Sequence, residues 1–259
     1  MAVDEQPPHL RPFLLDPPAR QAQRRGRIDL YPPDADGPRP AVVFVHGGPV
    51  PPGVQPGPRD WLAYRGFGRY AASLGVVGVT VEHRLHALTD ADFARAAGDL
   101  AEAVAAARED PRVDAQRVAL WHFSGGGLLA APYLAAPPPW LRCVALSYPL
   151  LAPLPGQGPA DARFYPAAAV RAAGRLPIVL TRVELESAPI AATVAQFLDA
   201  ARRCGAEIEV IDVPGGHHGF EIVDHTQPAR EAVAAAARSI LRHLGAADGA
   251  PQDRGGAAN

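Results

Sequence analysis

The chain has 259 residues, 48% of them hydrophobic and 20% charged, the balance of a globular protein with one sizeable core and not of a disordered or fibrous chain. A formal net charge of −2 and a pI near 6.5 supply no field to draw in nucleic acid or an anionic membrane, so neither partner is expected. All 25 basic residues are arginine, which excludes Schiff-base chemistry because no lysine amine exists to perform it.

The arginine-only basic set, with abundant Ala, Gly and Pro, reads as the codon bias of a GC-rich bacterial genome. Cys143 and Cys204 are far apart and lack metal-site or redox spacing, so they read as reduced, buried thiols. The first residues, MAVDEQPPHLRP, have acids and prolines where a secretory signal needs a basic start and an apolar run. No stretch of about 18 apolar residues could span a bilayer either, and a cytoplasmic location is the expectation.

In chain order, residues 1–23 read as an N-terminal extension, 24–245 as the domain and 246–259 as a disordered tail. The first strand is expected over 27–31, stopped by Pro32 and Pro33. A continuous apolar run over 41–45 predicts a strand buried on both faces, as in the middle of a parallel sheet, and it ends on His46-Gly47-Gly48-Pro49. A Pro- and Gly-rich loop follows, then a helix over 64–74 and a strand over 76–81. Phe93, Ala97, Leu100 and Val104 recur at helical spacing over 90–108, with Thr89 or Asp90 as the cap. Strand 117–121, helix 126–135, strand 142–147, helix 166–173, strand 178–181, helix 190–203, strand 208–212 and helix 229–244 complete the pattern. Strands alternating with helices predict an α/β class, a mostly parallel sheet covered on both faces. In such sheets ligands bind at the carboxyl ends of the strands, which is where His46, Ser124, Glu186 and His218 fall.

Three of those strand ends carry motifs. Trp121-His122-Phe123-Ser124-Gly125-Gly126 turns from a strand through a serine into a glycine-rich helix start, and it resembles the G-x-S-x-G nucleophile elbow of the α/β-hydrolases. Gly126 supplies the second glycine of that pattern, whereas His122 stands in place of the first. His46-Gly47-Gly48-Pro49 resembles the HGG-type loop that lends oxyanion-hole amides in lipases and esterases. Pro49 has no N–H, so Gly48 and Gly125 are the expected donors. Pro214-Gly215-Gly216-His217-His218-Gly219-Phe220 resembles the loop of the catalytic histidine, which makes His218 the base and His217 a neighbour. The order serine, acid, histidine is that of the fold. By the same resemblance Glu186, after strand 178–181, is the acid, with Glu184 as its competitor and a turn expected between them.

The resemblance runs from Arg27 to Leu244 and is nearest to dienelactone-hydrolase-like serine esterases with a minimal cap. It implies the α/β-hydrolase fold, a Ser124–His218–Glu186 triad and a small-molecule ester or lactone as substrate, with no cofactor. Trp61, Tyr64, Phe67, Phe164 and Tyr165 lie in the two loops expected to overhang the site, as candidates for an aromatic substrate pocket. Two alternatives stay open: a non-hydrolytic lyase, cyclase or ligand-binding module, which His122 in the elbow keeps alive, and a small peptidase. His83, His86, His122, His217 and His218 match no metal-ligand spacing, so no metal is expected.

Overall fold

The apolar runs become the strands of one sheet. A computed structural model describes residues 7–246; apart from Ala246, the tail expected over 246–259 lies outside the described residues. The strands are β1 (Gln23–Arg25), β2 (Ile28–Tyr31), β3 (Arg39–Val45), β4 (Val77–Val81), β5 (Val113–Phe123), β6 (Leu141–Ser147), β7 (Ile178–Val183) and β8 (Ile208–Val213). They lie in the order β1-β2-β4-β3-β5-β6-β7-β8. β2 runs antiparallel to both β1 and β4, and every pairing from β4 to β8 is parallel.

The helices are α1 (Leu62–Ser73), α2 (Asp90–Arg108), α3 (Ala131–Ala135), α4 (Pro166–Ala169), α5 (Ala188–Cys204), α6 (Phe220–Val223) and α7 (Gln227–His243). The alternation of β3 shows how they cover the sheet. Val43 and Val45 face a core shared with Phe93, Leu100 and Val104 of α2 and Phe197 of α5. Val42 and Phe44 face a second core with Phe67 of α1 and Val233 and Ile240 of α7. With apolar demand on both faces the strand has no polar alternation, which is why it reads as one continuous run. The side chain of Thr89 accepts the Asp92 N–H and so caps α2, leaving the helix bounds at the predicted 90 and 108. No helix among the described residues is long and apolar enough to cross a membrane.

Three local expectations change. Cys143 is buried as expected, but Cys204, the last residue of α5, is exposed. The helix read over 126–135 is a 3-10 helix, Ser124–Ala130, followed by the short α3. Three consecutive glycines are poor helix formers, and Pro132 has no N–H to return to an earlier turn, so the α-helix begins where proline can sit in its first turn. The strand β1 was not legible, because Gln23–Arg25 is exposed on all three residues and carries no alternation. It is held by pairing Arg24 with Asp29 across the sheet edge, where the Arg24 guanidinium also forks onto the buried Asp29 carboxylate at 2.9 and 2.8 Å.

From residue 7 on, the stretch read as an extension is folded back on the domain. Phe13 packs on Phe67 with ring centroids 4.6 Å apart, and the Leu14 N–H donates to the Glu221 carbonyl.

Candidate active site

Ser124 sits where β5 stops and the 3-10 helix starts, with φ +50. A non-glycine residue in that left-handed region stores strain, which persists only where the surroundings hold it. They do so by close backbone approach. A methyl group on Gly125 would lie 2.2 Å from the Gly48 carbonyl oxygen, and one on Gly126 would lie 2.4 Å from that of His46. Neither position can carry a side chain without moving the loop after β3. His122, in place of the first elbow glycine, is fully buried, and its Nδ1–H donates to the Gly126 carbonyl at 3.0 Å. That bond ties the end of β5 to the helix beyond it. Burial lowers the His122 pKa to about 4, so the ring is neutral.

The Ser124 hydroxyl lies 2.7 Å from His218 Nε2, and His218 Nδ1 lies 2.6 Å from Glu186 Oε2. A carboxylate can only accept, so Nδ1 carries the proton and Nε2 is free to accept from Ser124. The Glu186 side chain is 6% exposed. Burial pushes its pKa up, but the hydrogen bond and charge of His218 and the Ser187 N–H outweigh burial and hold it below the ordinary range. β7 ends at Val183, and a turn at Glu184 and Leu185 separates the two candidate acids. Glu184 accepts the Gly215 N–H at 2.8 Å and has no bond to His218. His217 is turned aside, its backbone N–H and its ring Nδ1 both bonded to Asp224.

The loop after β3 is fixed by stacked histidines. His46 and His83 lie 3.6 Å apart, nearly parallel, and His83 donates its backbone N–H to His46 Nε2 and its ring Nε2–H to the His46 carbonyl. The Gly47 N–H donates to the Tyr64 hydroxyl oxygen at 3.1 Å. The Gly48 N–H has no acceptor among the described residues, and Gly125 precedes the first amide that the 3-10 helix can satisfy within itself. Gly48 and Gly125 are thus the two amides beside Ser124 that remain to be engaged.

A cleft of about 360 Å³ opens on Ser124 and His218, walled by Gly47, Gly48, Trp61 and Tyr64 among others. Of the five aromatics suggested for a pocket, Trp61 and Tyr64 line it. Phe67 does not: it lies in the core against Phe13, Phe44, Trp121 and Phe123. Phe164 packs on Phe93 under α2, and Tyr165 bonds the Pro159 carbonyl, outside the cleft lining. An aromatic near a loop goes to whichever apolar surface the fold leaves uncovered, and the chain pattern does not say which that is.

Three cleft residues with polar side chains went unread. His9, from the N-terminal segment, stacks near Trp61 with centroids 5.2 Å apart and reaches the cleft. Tyr148, with φ +36, sets its ring edge-on to His218 at 4.8 Å between centroids. Glu221 accepts a hydrogen bond from the Tyr148 hydroxyl. Tyr148 carried a usable signal, since it immediately follows β6 at the ligand-binding end of the sheet. A larger cavity of about 570 Å³ lies behind Glu186, but neither Ser124 nor His218 lines it.

Similar structures share this arrangement of strands and helices. EstE1, a thermophilic carboxylesterase cloned from a metagenomic library, superposes with a TM-score of 0.70 at 20% identity over 89% of this chain and 92% of its own. The chain has the α/β-hydrolase fold. A bacterial heroin esterase matches with a TM-score of 0.67 at 21% identity over 84% of this chain and 79% of its own. Esterase 2 of Thermogutta terrifontis, phosphoramylated by tabun, matches with a TM-score of 0.65 at 19% identity over 90% and 97%. No family model matches the chain, nor does any curated protein by sequence. Within the α/β-hydrolase fold, the site described above occupies the carboxyl ends of β3, β5, β6, β7 and β8.

Proposed function

We propose that the protein is a serine esterase that cleaves a small carboxylic ester through an acyl-Ser124 intermediate. The observation that carries this reading is the unbroken hydrogen-bond relay from Ser124 through His218 to Glu186, at 2.7 and 2.6 Å. His218 Nε2 takes the hydroxyl proton as Ser124 Oγ attacks the ester carbonyl. Negative charge then gathers on the carbonyl oxygen, where the amides of Gly48 and Gly125 donate to it. Collapse of this intermediate breaks the ester bond, and His218 returns its proton to the leaving alkoxide. A water deprotonated by His218 attacks the acyl group in turn, releasing the acid and restoring Ser124. Glu186 stays ionised throughout, holding the Nδ1–H tautomer and stabilising the imidazolium. No step requires a metal or an organic cofactor.

The esterases among the similar structures support the same chemistry, and one of them carries a phosphorus adduct from tabun. A lactone is an internal ester open to the same attack, which keeps the dienelactone-hydrolase-like variant within this proposal. The rival reading, a pocket without hydrolysis, rested on His122. Buried, neutral and bonded to Gly126, that ring leaves the Ser124 to His218 contact intact.

The test is fluorophosphonate labelling together with hydrolysis of p-nitrophenyl esters. Ser124 should be labelled, and Ser124→Ala and His218→Ala should each lower turnover by several orders of magnitude, about the loss seen when a triad member is removed, while His217→Ala keeps most of it. Full turnover in a folded Ser124→Ala enzyme would refute the mechanism.

A further inference from the structure

The wall of the cleft contains a carboxylate that ester cleavage does not use. Glu221 is 3% exposed and lines the cleft together with Ser124, His218, Tyr64 and Tyr148. One of its oxygens accepts from the Tyr148 hydroxyl. The other, Oε2, is closed off from water and accepts from nothing among the described residues. Among the described residues Glu221 forms no ion pair with an arginine, and Asp224, three positions further along the chain, is occupied by His217. A buried carboxylate is normally paired or fully hydrogen-bonded, because removing its charge from water costs several kcal/mol otherwise. Tyr148 needs only an acceptor, which an amide would supply as well. The negative charge itself is therefore the unexplained feature.

The surroundings narrow what would answer it. Trp61, Tyr64 and Tyr148 bring aromatic rings to the same cleft, and ring faces attract cations. A buried carboxylate without a counter-charge, set in the cleft wall among aromatic rings, matches an ammonium group, which brings the positive charge that the described residues omit. We propose that this cleft takes esters bearing a protonated amine, with the ammonium seated against Tyr64 and Tyr148 and Glu221 as its counter-charge. This substrate class rests on the esterase reading. Glu221 would then be a specificity residue, remote from the bond that breaks.

The experiment compares kcat/KM for ester pairs matched in shape and unlike in charge. On the acyl side these are p-nitrophenyl 6-aminohexanoate and p-nitrophenyl heptanoate; on the alcohol side, 2-(dimethylamino)ethyl butyrate and 3-methylbutyl butyrate. In at least one pair the cationic ester should be preferred by about tenfold or more, and Glu221→Gln should reduce that ratio by roughly tenfold, the scale of one charge–charge interaction in a partly desolvated cleft. Equal rates within both pairs, or an equal loss on both members in Glu221→Gln, would overturn the proposal and leave the esterase reading standing. Failure of all four esters to react would instead overturn the esterase reading. Should Glu221→Gln not fold, inhibition of wild-type p-nitrophenyl butyrate hydrolysis decides: hexylammonium should inhibit about tenfold more tightly than hexanol, and equal inhibition refutes the ammonium site.

Discussion

Glu221 offers a prediction about stability that is independent of any substrate. Burial raises its pKa from 4.5 to about 7, against the opposing pull of the Tyr148 hydrogen bond. The unfolded chain therefore loses this proton at a lower pH than the folded protein does. Between those two values the folded state holds more protons, so stability falls as pH rises and levels off above 7. At about 1.4 kcal/mol per pKa unit, the full effect is about 3 kcal/mol. Glu221→Gln keeps an acceptor for Tyr148 and cannot ionise, so it removes the pH-dependent part. Its amide N–H groups find no acceptor in the same wall, which costs about 1–3 kcal/mol at every pH but leaves the slope alone. Urea unfolding of both proteins should show the variant gaining about 2–3 kcal/mol on the wild type between pH 5 and pH 8. Parallel curves over that range would show that Glu221 ionises normally, and the account of a costly, unpaired carboxylate would fall.

Glu186→Gln should keep the fold but favour the wrong tautomer of His218, lowering kcat on p-nitrophenyl butyrate by about 10³–10⁴-fold; Glu184→Gln, at a side chain that accepts from the Gly215 N–H away from His218, should stay within about twofold of wild type. Gly125→Ala drives a methyl to 2.2 Å from the Gly48 oxygen and must displace one expected oxyanion donor, so kcat/KM should fall by about 100-fold or more together with Tm. An active and equally stable Gly125→Ala enzyme would argue against that close approach. Burial lowers the pKa of His46 and His122 from 6.5 to about 4 in each case. Their contribution to stability is complete above 6.5 and is lost as pH falls toward 4, because the unfolded chain takes up protons that the buried rings refuse. Thermal unfolding should show Tm dropping over that window, with a shallower drop in His122→Asn.

Much of the framework was legible because it depends on neighbours in the chain. The run 41–45 needs only its own apolar side chains to declare a strand buried on both faces, and α2 needs only its spacing and Thr89. The three motif loops could be read for the same reason: each places a serine, histidine or glycine a residue or two beyond a strand, where backbone turns demand small residues. Errors arose where local signals were weak or mutually opposed. Three glycines and Pro132 turned an expected helix into a 3-10 segment, and the exposed β1 strand carried no alternation at all.

What the chain pattern determined by itself was the order of strands and helices, the ends at which chemistry gathers, and the serine, the histidine and two candidate acids. Only the tertiary structure set Glu184 and Glu186 apart, since the turn after β7 sends one to Gly215 and the other to His218. It alone divided the aromatics, sending Trp61 and Tyr64 to the cleft and Phe67 and Phe164 to the core. It also brought His9, Tyr148 and Glu221 to one cleft from three distant parts of the chain. Periodicity and turn chemistry act over a few residues, whereas burial and charge pairing depend on which surfaces meet after the sheet has closed, and no local pattern encodes that.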